Sequence, residues 1–293
     1  MISGLRRTGC CRILSAMPHN KIAKLGLIAG KGTYPRLLAE GARAQGVEHL
    51  VVLAFRGETA RTTVKPADQV EWLRLGSLDE LLQACRKHNL THVVMAGQLT
   101  PVSLFRVRLD SAMRALLADL PQKNAHTIFG ALVKQLENMG ITVLPASEFM
   151  DAHIPSETGV LTGCQPAASA LSDIEIGREV ARVTSGLEIG QTVVVKDGTI
   201  LAVEAFEGTD KAIRRAGRLG GPGSVVVKVA KPGHDMRFDI PVIGERTLRV
   251  MRRAGAKTLA VPAGRAVMLE KEKLITMADD LGIAVVVFDT EGT

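Results

Sequence analysis

Short apolar runs alternate with amphipathic stretches through the first half of the chain. Lys24–Gly30 (KLGLIAG), His49–Phe55 (HLVVLAF) and His92–Ala96 (HVVMA) are continuous enough to be buried strands. Between them, Leu37, Leu38, Gly41 and Ala42 keep a helical period. Leu78, Leu81, Leu82 and Cys85 do the same, with Ser77 and Asp79 as candidate caps. Two more helical faces follow, one of Leu109, Ala112, Met113, Leu116 and Leu117, the other of Ile128, Leu132, Leu136 and Met139. Gly140 stops the second, and Ile141–Leu144 returns to strand character. Alternation of this kind predicts a Rossmann-like parallel sheet over residues 22–150.

Residues 151–170 break the pattern. Pro155, Pro166 and several Gly, Ser and Thr residues mark a linker, and residues 171–293 form a second, mixed α/β domain. There Ile176, Val180, Val183 and Leu187 are helical in period. Thr192–Lys196 and Thr199–Ala205 read as strands joined by Asp197-Gly198, the dipeptide of a type I′ hairpin. Helices near 210–219 and 245–254, strands at Ser224–Val229 and Thr258–Val261, and a last helix through Leu274, Met277, Ala278 and Leu281 precede the buried run Ile283–Phe288.

Composition narrows the function. At 293 residues and 46% apolar, the chain has material for two cores. Aromatics at 3% argue against a base-stacking platform, so nucleic acid is not an expected partner. The net charge of +7 owes five cations, with no acid, to residues 1–24. Residues 1–21 therefore read as a basic, disordered tail. That tail lacks the apolar core of a signal peptide. Four cysteines without a CxxC make no disulfide framework, and no apolar run approaches the ~20 residues of a membrane span, so a cytoplasmic protein is expected.

Two kinds of segment carry chemistry. Gly30-Lys31-Gly32-Thr33 follows the first strand and Ala96-Gly97-Gln98 follows the third. Glycines there let backbone approach phosphate oxygens, although the third glycine and ribose-binding acid of a dinucleotide fingerprint are absent. In the second domain, Glu204-Ala-Phe-Glu207-Gly-Thr209-Asp210 sets three acids at a strand-to-helix junction. Local capping by Thr209 or Asp210 explains one of these residues but not all. Carboxylates beside phosphate need an intervening cation, for which oxygen ligands suit Mg²⁺. The stretch from Lys228 to Pro241 adds Lys231, Asp235, Arg237 and Asp239 in a Pro/Gly-punctuated loop, cations for phosphate beside acids for metal or water. No metal-ligand spacing of histidines, GxSxG, Walker A, HExxH or kinase signature occurs.

KLGLIAGKGTYP, DIEIGREVARVTSGLEIGQTVVVKDGTILAVEAFEGTD, KVAKPGHDMRFDIPVIGERT and the closing ADDLGIAVVVF, in this order, resemble the LpxI-type UDP-2,3-diacylglucosamine pyrophosphatases over about residues 22–290. E-A-x-E-G-T-D followed by K-P-x-x-x-x-R-x-D-x-P-x-I-G is the specific part. The resemblance implies two α/β domains with substrate between them. It also implies Mg²⁺-dependent hydrolysis of UDP-2,3-diacylglucosamine to 2,3-diacylglucosamine 1-phosphate and UMP, in lipid A biosynthesis at the cytoplasmic face of the inner membrane. Its important acid corresponds to Asp239. Asn124-Ala125-His126 stands where the family pattern often has Gly-Asp-Asp, which removes an acid from the first-domain side and leaves substrate preference the least fixed property.

The expected site follows. Asp239, Asp210, Arg237, Lys228 and Lys231 are the catalytic candidates, with Asp239, Asp210 and Glu207 as metal ligands. Gly30, Gly32, Thr33, Gly97, Gln98, Gln191 and Thr209 are the substrate-binding candidates. Leu104–Ala118, with Arg106, Arg108 and Arg114, is a candidate for lipid access or an ordinary core-facing helix. A non-catalytic nucleotide-sugar binder is the rival reading, and a nicotinamide-dependent oxidoreductase fits less well. Homo-oligomerisation is left open.

Overall fold

The computed structural model describes residues 22–98, 108–122, 124–231, 235–238 and 240–290. The predicted basic tail, with Cys10 and Cys11, lies outside them, as does Asp239.

The first domain is a parallel sheet of β1 (Lys24–Ala29), β2 (His49–Phe55), β3 (Gln69–Leu73), β4 (His92–Ala96) and β5 (Thr142–Leu144), in the order β3-β2-β1-β4-β5. Between these strands lie α1 (Tyr34–Ala44), α2 (Leu78–Lys87), α3 (Ser111–Ala118) and α4 (Ala125–Asn138). Leu27, Leu50 and Val52 pack with Leu38 of α1 on one face, and Ile28, Leu53 and Val93 pack with Leu81, Leu132 and Leu136 on the other. Cover on both faces is why these strands read as continuous apolar runs. The sequence pattern passed over β3. Its Gln-Val-Glu-Trp-Leu is largely half-buried, as suits a sheet edge.

Capping departs from expectation in a telling way. Ser77 occupies the N-cap of α2, but its hydroxyl donates to Asp110 Oδ2 at 2.8 Å, and that same oxygen accepts the Asp79 N–H at 2.9 Å. The other oxygen of Asp110 caps α3 through the Met113 N–H at 2.8 Å. One carboxylate thus satisfies two helix starts. In α3, Leu116 and Leu117 face the core, which is the bland reading of Leu104–Ala118; residues 104–107 lie outside the described residues.

The second domain is a mixed sheet. It holds β6 (Gly159–Val160), β7 (Thr192–Lys196), β8 (Thr199–Val203), β9 (Val225–Lys228), β11 (Thr258–Pro262) and β13 (Ala284–Phe288), in the order β6-β13-β11-β9-β7-β8. Strands β9, β11 and β13 are parallel, and β7, β8 and β6 join antiparallel. A separate parallel pair is β10 (Val242–Ile243) with β12 (Val267–Met268). Helix α5 (Ala168–Gly186) covers one face; α6 (Thr209–Gly220), α7 (Glu245–Ala254) and α8 (Lys271–Asp280) cover the other. Asp197 and Gly198 both have positive φ, 48° and 76°, the geometry of the expected type I′ hairpin. The stretch 151–170 is more ordered than a linker: Val160 pairs with Val286, and α5 begins at Ala168.

The domains are joined by packing as well as by chain. Ile240 and Val267 belong to the first domain's core, with Met236, Val242 and Leu269 against it. Phe238 packs on Phe129 and His126 of α4, at centroid distances of 5.9 and 5.5 Å. The Ala146 N–H donates to Met236 O at 2.6 Å.

Candidate active site

The strand order places a crevice between the carboxyl ends of β1 and β4, where the helix connections diverge to opposite sides of the sheet. The two glycine turns meet there. Lys31 and Gln98 exchange backbone hydrogen bonds, both at 3.0 Å, and the Gly30 N–H donates to Ala96 O at 2.8 Å. A Cβ on Gly97, which has φ of +91°, would meet Pro35 Cγ at 2.6 Å and Lys31 O at 2.8 Å. Glycine is required at that position by both conformation and space.

Three strand ends of the second sheet converge opposite. Thr192 pairs with Lys228 across β7 and β9, and the Glu204 N–H at the end of β8 donates to Thr192 O at 2.8 Å. The turn after β8 enters α6 through Gly208 at φ of 83°, with no side-chain cap. Thr209 is therefore not spent on capping. Its hydroxyl donates to Glu204 Oε1 at 2.9 Å and accepts from Lys228 Nζ at 3.4 Å. Lys228 is buried, with 4% of its surface exposed.

Between these edges lies a cleft of about 630 Å³. Gly32, Thr33, Gly97 and Gln98 line the first-domain wall; Gln191, Thr209, Lys228, Glu207 and Asp210 line the second. Apolar wall comes from Ile28, Met95, Phe129, Phe238 and Ile240. Tyr34 also lines it; its hydroxyl donates to Ala146 O, and burial pushes its phenol pKa up.

Several expected residues are placed differently. Gly30 packs behind the wall, where a Cβ would meet Gln98 O at 3.0 Å. Lys231 does not line the cleft and is ion-paired to Glu188. Arg237 is not on the wall either: it grips Asp235 through Nε at 2.7 Å and Nη2 at 2.6 Å, and reaches Glu137 of α4 at 2.5 Å. That hydrogen bonding holds the Asp235 carboxyl below the usual carboxylate range. Arg237 is thus a strut between domains. The two acids expected as metal ligands are also engaged, Glu207 with Arg215 at 2.6 Å and Asp210 with Arg246 at 2.5 Å. The Arg215 hydrogen bond keeps the Glu207 carboxyl low.

The acid that is not saturated is Glu204. Its Oε2 is buried without a hydrogen-bond partner among the described residues, and so is Oε1 of Gln191. Both side chains line the cleft. Sequence reading included Glu204 among three acids and did not single it out. Lys31 reaches the wall from the first glycine turn, and Lys211, Arg214 and Arg246 also reach it and were missed, because cations on amphipathic helices carry no local mark of a site. Among the described residues no group of three His, Cys, Asp or Glu side chains is arranged to hold a metal.

Two α/β domains closing on a cleft of cations, glycine turns and unsatisfied oxygens define a protein for a phosphate-bearing ligand with an apolar part. Residues 24–153 match the family model of the LpxI N-terminal domain and residues 157–286 that of the LpxI C-terminal domain. The chain belongs to the LpxI family. It is 31% identical over 280 residues to the UDP-2,3-diacylglucosamine pyrophosphatase LpxI of Caulobacter vibrioides, spanning 92% of this chain and 98% of that one. Among solved structures it matches the Kluyveromyces lactis urea carboxylase (13% identity, 59% of this chain and 12% of that one, TM-score 0.29). It also matches phosphoribosylglycinamide synthetase from Anaerococcus prevotii (13% identity, 69% and 44%, TM-score 0.27). Scores that low carry no argument about fold or activity.

Proposed function

We propose that the protein hydrolyses the pyrophosphate bond of UDP-2,3-diacylglucosamine, giving 2,3-diacylglucosamine 1-phosphate and UMP, with Mg²⁺ as cofactor. The observation that carries this reading is the interdomain cleft, which joins a cationic polar wall to an apolar one. Family membership and the named activity of the Caulobacter relative support the substrate. In this reading the turns at Gly32–Thr33 and Gly97–Gln98 take the uridine nucleotide. Lys228, with Lys31, Lys211 and Arg214, offsets the charge of the pyrophosphate. Apolar wall around Phe129 and Phe238 takes acyl chain, each methylene removed from water contributing about 0.8 kcal/mol.

The donor set fits Mg²⁺ in kind: Glu204 Oε2 and Gln191 Oε1 are hard oxygen atoms left without partners on the cleft wall. Glu204 and Gln191 would hold the ion, with Asp239 supplying a further carboxylate as ligand or water-orienting group on the strength of its place in the motif. Mg²⁺, when bound, neutralises charge on the phosphoryl oxygens. Water forms a bond to phosphorus as the bridging P–O bond breaks, the electron pair leaving on the departing phosphate. A carboxylate facing the water takes its proton. Thr209 and Lys228 hold Glu204 and the anion in register through their shared hydrogen bond.

The reading includes work at the cytoplasmic face of the inner membrane, where a diacylated substrate resides. Among the described residues no helix is long and apolar enough to cross a membrane. The test is UMP release from UDP-2,3-diacylglucosamine with Mg²⁺ and with EDTA. Release that EDTA abolishes and Mg²⁺ restores is expected. UDP binding without UMP would favour a non-catalytic nucleotide-sugar binder, and full turnover in metal-free buffer would remove the cofactor.

A further inference from the structure

Helices α6 and α7 together hold Lys211, Arg214, Arg215, Arg218, Arg246, Arg249, Arg252 and Arg253 against only Asp210 and Glu245. They lie side by side in the same direction: Asp210 meets Arg246 near their starts, and Gly217 meets Ala254 near their ends. A Cβ at Gly217 would sit 2.5 Å from Ala254 O, so glycine lets the two backbones approach closely. The core-facing residues Ala212, Ile213, Ala216, Leu248 and Met251 are buried. The cations are left on one outer face. Lys211, Arg214, Arg218, Arg252 and Arg253 have no ion-pair partner among the described residues. Apolar side chains flank the face, Phe206 at the cleft end with 87% of its surface exposed and Leu219 at the far end with 67%. Lys211, Arg214 and Arg246 also line the cleft, so the face runs into its rim.

We propose that this face docks on an anionic bilayer surface, the arginines meeting lipid phosphates and Phe206 entering the headgroup region. The cleft mouth is thereby set against the membrane. Unpaired guanidinium groups in a row, bounded by exposed apolar side chains and continuous with a cleft that has an apolar wall, fit a lipid interface. A single-stranded nucleic-acid surface would want stacking aromatics among the cations, and the face offers only Phe206 beside them. The inference rests on the lipid-substrate reading of the cleft, but vesicle binding is measured apart from turnover.

The test uses the full chain and co-sedimentation with phosphatidylcholine vesicles, with and without phosphatidylglycerol. Binding to the anionic vesicles is expected, weakening as salt is raised. Each arginine near such a surface is worth about fivefold in partitioning. Arg218→Gln, Arg252→Gln and Arg253→Gln combined are therefore expected to lower it about a hundredfold. Phe206→Ala is expected to lower it about tenfold while retention on heparin stays unchanged. None of these four residues lines the cleft, so UMP release from detergent-dispersed substrate is expected to persist in both variants. Undiminished vesicle binding by the triple variant would move the attraction to the basic residues 1–24 and overturn the proposal. A Phe206→Ala variant that binds vesicles like wild type, with heparin and vesicle binding falling in parallel in the triple variant, would make the face a polyanion site instead. Wild-type vesicle binding with the expected losses but no UMP would uphold the face and sink only the catalytic reading.

Discussion

Glu204→Gln separates the proposed metal-holding role of this side chain from a structural one. The glutamine is nearly isosteric, and its amide oxygen can keep the 2.9 Å hydrogen bond from Thr209. What the substitution removes is one negative charge whose second oxygen is buried without a partner. A buried polar group left unsatisfied costs about 1–3 kcal/mol, and for a domain of this size about 1 kcal/mol corresponds to 2–4 °C in Tm. In Glu204→Gln an amide NH₂ takes the place of that oxygen and is equally without a partner, so the variant is expected to unfold within a few degrees of wild type. Turnover is expected to fall by at least ~10², about 2.7 kcal/mol of transition-state stabilisation, and the Mg²⁺ concentration for half activity to rise about tenfold. The assay is UMP release across a Mg²⁺ titration, with Tm on the same preparation. Stability held while activity falls is the mark of a residue kept for function. As a comparison, Glu207→Gln breaks an ion pair with Arg215 and is expected to cost less than about tenfold in turnover. A folded Glu204→Gln enzyme with kcat within about threefold of wild type and an unchanged Mg²⁺ midpoint would refute the reasoning.

Gly97→Ala combines a positive φ with contacts at 2.6 and 2.8 Å and should cost about 2–4 kcal/mol, read as a lower urea midpoint with unchanged m. The Asp235–Arg237–Glu137 strut should contribute about 1 kcal/mol or less, being partly exposed. Because the Asp235 pKa is lowered on folding, that contribution is fully present above the unfolded value of about 3.9 and fades as pH falls through the folded one. The stability difference between wild type and Asp235→Asn should thus be flat from about pH 5 to 8 and shrink below about pH 4, in urea titrations at each pH. Burial pushes the Cys85 thiol up to about 11. Peptide mapping after brief alkylation near pH 8 should find Cys164 modified and Cys85 intact in the folded protein, both modified in urea.

The parts legible in the sequence are those whose cause is local. Apolar runs announced β1, β2 and β4 because both faces of that sheet are covered, and Asp197-Gly198 announced its hairpin because two consecutive positive φ values demand such residues. The glycine turns were legible for the same reason. What was not legible depends on partners distant in sequence. Arg237 looked like a phosphate cation, but Glu137 lies a hundred positions away on α4 and claims it. Lys231 meets Glu188 after α5, and Asp110 caps α2 from 31 residues downstream. Glu204, Glu207 and Asp210 are equivalent as letters. Only folding, which gives two of them an arginine and one a buried free oxygen, tells them apart.

The same distribution changes how the family's most specific motif is understood. The stretch from Lys228 to Pro241 supplies the buried lysine of the cleft, yet four of its residues hold the domains together. Met236 accepts a hydrogen bond from the first domain, Arg237 spans to α4, Phe238 packs on Phe129 and His126, and Ile240 enters the first core. Phe238 and Ile240 also form cleft wall. Wall and interdomain seam are therefore one segment, and the packing of its side chains holds the glycine turns and Lys228 on facing walls. Loss of activity on changing Arg237 is thus no measure of phosphate binding, since releasing the strut alters the distance between the two halves of the site. A charge at the pyrophosphate is better sought at Lys228, which is buried on the cleft wall and bonded to Thr209.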